Sequence, residues 1–493
     1  MSYQITEAAA NAKNIRPEDA ELVRKLVAIW REKLPGNERR DRYYLSHVRT
    51  KDLGIAIAPE MRNKIKARID WPAKAVDYLA ARSQFDGFTT SDDTRTQDLM
   101  SIVQANHLKL LYRKAVTSEL KHCCVALTVT AGENGKPVIS SYPMTACALI
   151  WDDALKEVKA GLVVAESKKP TGSNVREPTM YKLFTRDALV VISKTNNGWV
   201  ADYAAHSMGR PLIEPMAYRP TLERPFGRSR ITRTVMSLTD DAQREKERSE
   251  IAAEFAAYPQ KYLLGTDSQL IPKESRYAAY IGAIMEVTKG EDGTIPSFGQ
   301  LSQLSMQPHI DYMRSLAAQF SGATNVPLSA LGVVSDNPSS AEAIYAAKED
   351  MVIDAQALNA DNGRALVNIA MMALAINDNS NFSTIQNSGI AIEARFRNPA
   401  MPSVVSQSDA MVKQISVLPW LAESDVALEE LGYNEEQIQR LHTDRTRWKG
   451  MQLANSVIAN RSQEQQPQQA EPQQEPDEPQ EPQDNQDSEQ NGE

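Results

Sequence analysis

Apolar residues along this chain recur at two different periods, and the switches between them divide it. Leu22, Leu26, Ile29 and Trp30 fall three or four residues apart. That is the spacing of one helix face and predicts a helix over 20–34. Arg39 to His47 continues as a charged, Tyr-containing helix, and the polar, Ala-rich residues 1–20 read as a loose arm. Asp70 and Pro72 mark the next start, since Pro is tolerated in the first turn. That helix turns Val76, Leu79 and Ala80 inward and ends near Phe85-Asp-Gly-Phe88; another is expected from about Asp98 to Leu120.

The period then drops to two. Val125–Thr130 and Val138–Ser141 read as strands around Asn134-Gly135, a hairpin signal because the pair supplies positive φ. Ala146–Trp151, Val158–Ala165, Met180–Thr185 and Leu189–Ser193 continue as short strands between polar turns. Residues 121–220 are thus a mainly β unit set between helical segments.

Helical spacing returns at Gly227 and runs to about Tyr258, where Pro259 limits it. Ile231, Val235, Leu238, Ala242, Ile251 and Phe255 share one face, but Asp240 to Glu250 is charged nearly all round. So polar a helix buries little of its own surface. It is either an exposed surface helix or one that meets copies of itself through charged contacts. Residues 259–307 read as an insertion of short strands and turns. Helix 308–322 follows with Ile310, Met313, Leu316, Ala317 and Phe320 on one stripe, then a Gly/Ser/Asp/Asn loop. A helix of almost forty residues, 339–377, starts at Ser339 and Glu342 in capping-box spacing. A strand at Ile390–Phe396 and helices over Ser403–Val417, Ser424–Leu431 and Asn434–Met451 complete the pattern. The fold class is α+β, mainly helical.

Charge changes the picture at one end. Of the 64 acidic residues ten lie between Glu464 and Glu493, where there is no Lys or Arg. The remaining chain therefore carries +1 against −9 for the whole. Residues 462–493 are Gln, Glu and Pro with almost nothing apolar to bury, and are expected to be disordered. A nearly neutral body lacks the basic excess of a tight, salt-dependent DNA binder. No stretch approaches the roughly 20 apolar residues of a membrane span, and the N-terminus lacks the basic and apolar regions of a secretory leader. Neither a membrane partner nor a leader is expected. Three cysteines, two of them adjacent, imply no disulfide framework and fit a reducing cytoplasm during folding.

Catalytic chemistry is missing from the pattern. Gly132 to Pro137 contains Gly135-Lys136, but a phosphate-binding loop needs Gly-x-x-x-x-Gly-Lys and then Ser or Thr. His122, Cys123, Cys124 and Cys147 do not have the spacing of structural zinc ligands, and read as small residues of a β core. The other histidines show no carboxylate at a telling spacing. Asp152-Asp153 reads as a turn, and Glu349, Asp350 and Asp354 as a solvated helix face. No catalytic residue, metal or cofactor is assigned, and no enzymatic activity is expected. Tyr218, Arg219, Arg224, Arg228, Arg230 and Arg233 form a basic cluster suited to ion pairs within or between subunits, or to phosphate.

Several of these elements, in this order, resemble the portal (head–tail connector) proteins of tailed double-stranded DNA phages, most of all those of long-tailed phages of Gram-positive hosts. They are the Trp71-Pro72 helix leading to Phe85-Asp-Gly-Phe88, the β unit with Pro143 and Asp152, and Arg224-Pro-Phe-Gly-Arg-Ser-Arg230. Val326-Pro327 to Gly332, Ser339-Ser-Ala-Glu342 and a C-terminal helix pair at Leu431-Gly-Tyr433 follow, so that the resemblance spans roughly 20–450.

The resemblance implies a non-enzymatic ring, a dodecamer, at one capsid vertex, through which DNA is packaged and ejected. Residues 1–226 would be the wing, 227–258 and 308–322 the stem helices, and 259–307 the clip. Residues 323–338 would be the tunnel loop, 339–377 the long wing helix, 378–425 the wing return and 426–461 the crown. Implied partners are double-stranded DNA in the channel, the large terminase subunit, capsid and scaffolding proteins, and head-completion adaptors. The place is the virion, after assembly in the host cytoplasm. Tunnel-loop candidates are Asn325, Ser329, Ser335, Asp336 and Asn337, in a segment without Lys or Arg. Clip contacts would be Lys273, Arg276 and Lys289. Stem or interface contacts would be Arg228, Arg230, Arg233, Asp240, Arg244 and Arg248. Another virion or minor head protein without a DNA channel is the alternative.

Overall fold

The computed structural model describes residues 2–48, 67–257, 261–264, 295, 297–300, 302, 304–333, 341–400, 404–433 and 435–463. About 51% of the chain is helical and 23% strand. Two units divide it, residues 1–401 and 402–493. Among the described residues no helix is long and apolar enough to cross a membrane.

The first unit is built around two cores. One lies between helix α1 (Pro17–Tyr44) and an antiparallel sheet in the order β5-β6-β7-β8-β9. These strands are Cys147–Asp152, Glu157–Lys168, Val175–Phe184, Ala188–Thr195 and Gly198–Ala205. Val23, Leu26, Val27, Trp30 and Leu34 bury one face of α1 against Leu162, Tyr181, Leu183, Val190 and Ile192. Burying each such side chain is worth roughly 1.5–3 kcal/mol. Trp30 also donates its indole N–H to the Thr145 carbonyl at 3.0 Å, so its one polar atom costs nothing on burial.

Residues 1–20 are not the expected loose arm. β1 (Ser2–Tyr3) pairs parallel with β7, and a turn of 3-10 helix buries Ala9 and Ala10 completely or nearly so. Their methyl side chains are small enough for backbone to pack against backbone. The helix also does not pause at Pro35. It loses one backbone hydrogen bond there, but its two halves are pinned independently. Val23–Leu34 sit on the sheet, while Asn37 donates to the Met144 carbonyl at 3.2 Å and the Tyr43 hydroxyl to Asp240 at 2.9 Å.

The second core joins helices α2 (Trp71–Ala80), α3 (Asp93–Ala105) and α4 (Leu108–His122) to a three-stranded sheet, β10-β3-β4. Its strands are Cys124–Ala131 (β3), Pro137–Pro143 (β4) and Ile213–Ala217 (β10). The helix expected over 98–120 is two helices, broken at His107, whose φ is +48°. The Asn106 side chain causes the break. Its amide donates to the Pro137 carbonyl at 3.1 Å and its carbonyl accepts from the Ile139 N–H at 2.8 Å, tying the chain to β4. Phe85-Asp-Gly-Phe88 is not a helix end but the start of β2 (Phe85–Thr90), antiparallel to β13 (Ile392–Phe396). That pairing brings together segments about three hundred residues apart.

Helices α5 (Arg233–Ala257) and α6 (Gln307–Thr324) pack on one another, and α7 (Ala341–Asn377) runs through the core with Met351, Ala355, Leu358, Leu366 and Ile369 buried. Between α5 and α6 the only described pairing is β11 (Lys261–Leu264) with β12 (Ser297–Gln300), antiparallel. The expected helix start at Gly227 is wrong by six residues. Gly227 has φ +68°, and a Cβ there would lie 2.3 Å from the Tyr218 carbonyl oxygen, so only glycine fits. Downstream, Arg228 N–H bonds Tyr218 O at 2.9 Å and Arg230 N–H bonds Leu120 O at 2.8 Å. With Gly227 left-handed, these bonds hold 227–231 along neighbouring segments and out of a helical path. The helix begins where Thr232 Oγ1 can accept from the Val235 N–H. A short helix α8 (Phe382–Gln386) follows α7.

The second unit consists of α9 (Val404–Val417), a 3-10 turn (Pro419–Glu423), α10 (Asp425–Glu430) and α11 (Glu435–Gln463). Ser424 caps α10, accepting from the Val426 N–H at 3.3 Å. His442 pairs with Asp425 at 2.6 Å and Arg445 with Glu423 at 3.3 Å. Helix α11 outruns the expected end at Met451 because 452–463 contains neither Gly nor Pro. The capping residues Ser339 and Asn434, and the acidic tail beyond Gln463, lie outside the described residues.

Candidate functional site

The most connected polar site is a buried ion cluster where α6 ends. Arg230 is 6% exposed and Asp354, on α7, 7% exposed. The Arg230 guanidinium donates to the Ala75 carbonyl at 2.5 Å, the Tyr218 hydroxyl at 2.8 Å, the Asp354 carboxylate at 3.3 Å, and the Thr324 carbonyl. Asp354 is shared. Arg219 pairs with its other oxygen, and the Asn325 amide donates to it at 3.3 Å.

Each element brings its residue for a local reason. Pro220 and Gly227 flank a tight reversal that sets Tyr218 and Arg219 beside Arg228–Arg230. Thr324 and Asn325 end α6, with Asn325 in the left-handed conformation (φ +55°) that Asn tolerates at a helix C-terminus. The buried guanidinium therefore takes up a helix-end carbonyl that would otherwise lack a partner. It ties α2, α6, α7 and the 218–230 loop together at one point.

From this cluster the chain leaves as Val326, which is fully buried, then Pro327 and a 3-10 turn, Leu328–Leu331, closed by Gly332 at φ +85°. Ala330, Leu331 and Val333 lean on the core, whereas Leu328 and Ser329 face solvent. Asn325 and Ser329 are thus placed at the base and on the turn of the candidate loop. Ser335, Asp336 and Asn337 lie outside the described residues, as do Lys273, Arg276 and Lys289.

The stem residues divide into three kinds. Arg230 is a core residue that donates to groups within the chain. Asp240 accepts from Tyr43, Arg244 pairs with Asp241, and Arg248 stands 3.7 Å from the buried Glu245. Arg228 and Arg233 are exposed. Much of the charged stretch 240–250 is therefore neutralised inside the subunit. Glu245 also accepts from His309 at 2.5 Å, fastening α5 to α6.

Asp354 was expected on a solvated face and is instead buried. His122 meets Asp41 at 3.0 Å, His309 meets Glu245, and His442 meets Asp425, although no histidine had a carboxylate at a telling spacing. Burial alone would raise Asp41, but bonds from His122 and Lys121 outweigh it and hold the carboxyl well below its ordinary range. The two partners of the first pair are 81 residues apart, a separation that no local pattern encodes. Cys123, Cys124 and Cys147 are free thiols, and among the described residues no group of side chains is arranged to hold a metal. Asp152 is the turn residue expected, accepting from the Ala154 and Leu155 N–H groups at 3.0 and 3.1 Å.

No family model matches the chain. It is 23% identical over 440 residues to the portal protein of Mycobacterium phage L5, covering 86% of this chain and 88% of that one. It is 23% identical over 407 residues to the portal protein of Mycobacterium phage D29, covering 80% and 81%. Among solved structures, the neck of a native gene transfer agent particle matches with a TM-score of 0.38 and 14% identity, over 70% of this chain and 84% of that one. The neck of an empty particle gives 0.39 and 14%, over 69% and 84%. Those superpositions are too loose to transfer any region. The sequence relation is the longer one: over four-fifths or more of both chains, what this chain is similar to are phage portal proteins.

Proposed function

We propose that this chain is the portal subunit of a tailed phage, a structural protein that closes with copies of itself into a ring at one capsid vertex. Double-stranded DNA enters and leaves through the ring, which docks the terminase motor first and head-completion adaptors afterwards. The observation that carries this reading is the match to two portal proteins over more than four-fifths of the chain's length in one case and four-fifths in the other.

On this reading α5 and α6 are the stem, 259–307 the clip, 323–338 the tunnel loop and α7 the long wing helix behind it. Residues 1–226 and 378–425 are wing, and 426–461 crown. Two features support the loop assignment. Residues 323–338 carry no Lys or Arg, so DNA could slide past without being held by phosphate contacts. The base of the loop is fastened through Asn325 and Val326 to a buried cluster. The stem's charges at Asp241, Arg244, Glu245 and Arg248 are largely paired within the subunit. Ring contacts would then fall to its exposed members, Arg228 and Arg233.

Electron microscopy of the full-length chain, viewed down the particle axis, tests this. Rings with a central hole and about twelve-fold symmetry are expected. Globular particles, also when the scaffolding protein is co-expressed, would overturn the reading. In the same preparation a deletion of residues 328–337 should leave rings intact while DNA packaging fails. Loss of the rings would make that segment part of the subunit interface instead.

A further inference from the structure

A pocket of about 500 Å³ opens in the first unit, away from the loop and its anchor. Its walls are the 155–157 turn, the 207–210 segment, β10, and the α7–α8 corner. At its floor lies Arg210, 7% exposed. This guanidinium is held on two sides. Its face stacks on the Phe382 ring at 4.6 Å, and Nη2 donates to Glu214 at 2.5 Å. Its Nε is buried and has no hydrogen-bond partner among the described residues. Glu157 Oε2 stands 3.9 Å from it, an ion pair beyond hydrogen-bond reach.

A buried N–H without a partner is costly enough that native proteins rarely leave one. The carboxylates around it are already committed. Glu157 takes Arg186 at 2.6 Å, and Glu214 takes both Arg210 and the Asn368 amide, the latter at 2.8 Å. Two further cations line the same pocket, Lys156 on the turn and Arg364 on α7; among the described residues neither has a hydrogen bond or an ion pair within 4 Å, though Arg364 acts on the Glu214 and Asp361 carboxyls from farther off. Arg364 and Asn368 are four residues apart and so share a helix face. The lining thus carries three cations, Lys156, Arg210 and Arg364, against two carboxylates, Glu157 and Glu214, and the buried Nε of Arg210 lies in its wall.

We propose that this pocket is a docking site for an acidic side chain of a partner polypeptide, whose carboxylate bonds Arg210 Nε and pairs with Arg364. A planar carboxylate matches the guanidinium edge. A DNA phosphate is the poorer fit. A duplex would carry a line of further charges past Glu157 and Glu214, and the pocket has room for one side chain rather than a backbone. The inference is independent of ring formation, since every residue in it belongs to one subunit.

The test is fluorescence anisotropy of a labelled hexaglutamate peptide against the full-length chain. Saturable binding is expected, weakened about tenfold or more by Arg364→Ala and about as much by Lys156→Glu, with Arg364→Lys in between. Both positions are surface ones, so the variants should fold like the parent. Binding weaker than about 1 mM, or equal binding by parent and Arg364→Ala, would overturn the proposal. Displacement of the peptide by a short DNA duplex, dependent on Arg364, would reassign the pocket to phosphate and overturn it as well.

Discussion

Replacing Arg230 by Ala is expected to cost the folded chain about 3–5 kcal/mol, the range for removing one partner of a buried ion pair. Most of that loss is in what stays behind. Asp354 remains 7% exposed without its buried cationic partner, left with the more exposed Arg219 and with Asn325, and the carbonyls of Ala75 and Thr324 lose the guanidinium donor. Asp354→Ala should be comparably severe, because it strands Arg230 and frees Asn325 at once. Asp354→Asn keeps an acceptor and should be milder. Urea midpoints of the three variants against the parent check this. Arg228→Ala, at an exposed position of the same basic run, should move the midpoint by less than about 0.5 kcal/mol. If Arg230→Ala and Arg228→Ala behaved alike, the cluster would be an incidental contact rather than the joint of the subunit.

That contrast marks how far the sequence could be read. The two periods located nearly all the helices and most strands, because each encodes its own burial face. What they could not show was any contact between distant segments. Arg230 and Arg228 are indistinguishable in a basic run, and only the reversal at Gly227 decides which one turns inward. Asp354 sits between Ile353 and Ala355 on a helix whose polar positions all look solvated; its role depends on a loop more than a hundred residues upstream. The misjudged boundaries have the same origin. At Asn106 and at 228–231, polar groups bond to other segments and overrule the local preference for helix. Pro35 shows the reverse, a local breaker overruled by packing on both sides. The loop candidates, Asn325 among them, were legible as a composition, a stretch without cations, but the bond that ties Asn325 to Asp354 was not.

The second large effect concerns pH. Glu119, on α4, is fully buried, and among the described residues its carboxyl has one hydrogen-bond partner, Asn362 of α7, which donates to Oε2 at 2.8 Å. Burial, only partly offset by that bond, pushes the carboxyl well above its ordinary value. Two atoms of this pair have no partner among the described residues, Glu119 Oε1 and Asn362 Oδ1, and both are acceptors as long as the carboxyl is ionised. A proton on Glu119 supplies the missing donor, so the neutral acid is the form that suits the site. The sign follows. A carboxyl raised by folding contributes stability that is fully present below its unfolded value, about 4.3, and is lost as pH rises toward the folded one. Over that window the loss is about 1.4 kcal/mol per pH unit. Glu119→Gln carries a permanent amide donor in place of the proton and should abolish this dependence. It should match the parent near pH 4.5 and gain on it steadily as pH rises, whereas Glu119→Ala should be destabilised at every pH by the cavity and the stranded Asn362. Urea midpoints of parent and Glu119→Gln from pH 5 to 8 would separate the curves. Parallel curves would mean that Glu119 is ionised in the folded chain, and that the joint between α4 and α7 is a buried charge instead of a shared proton.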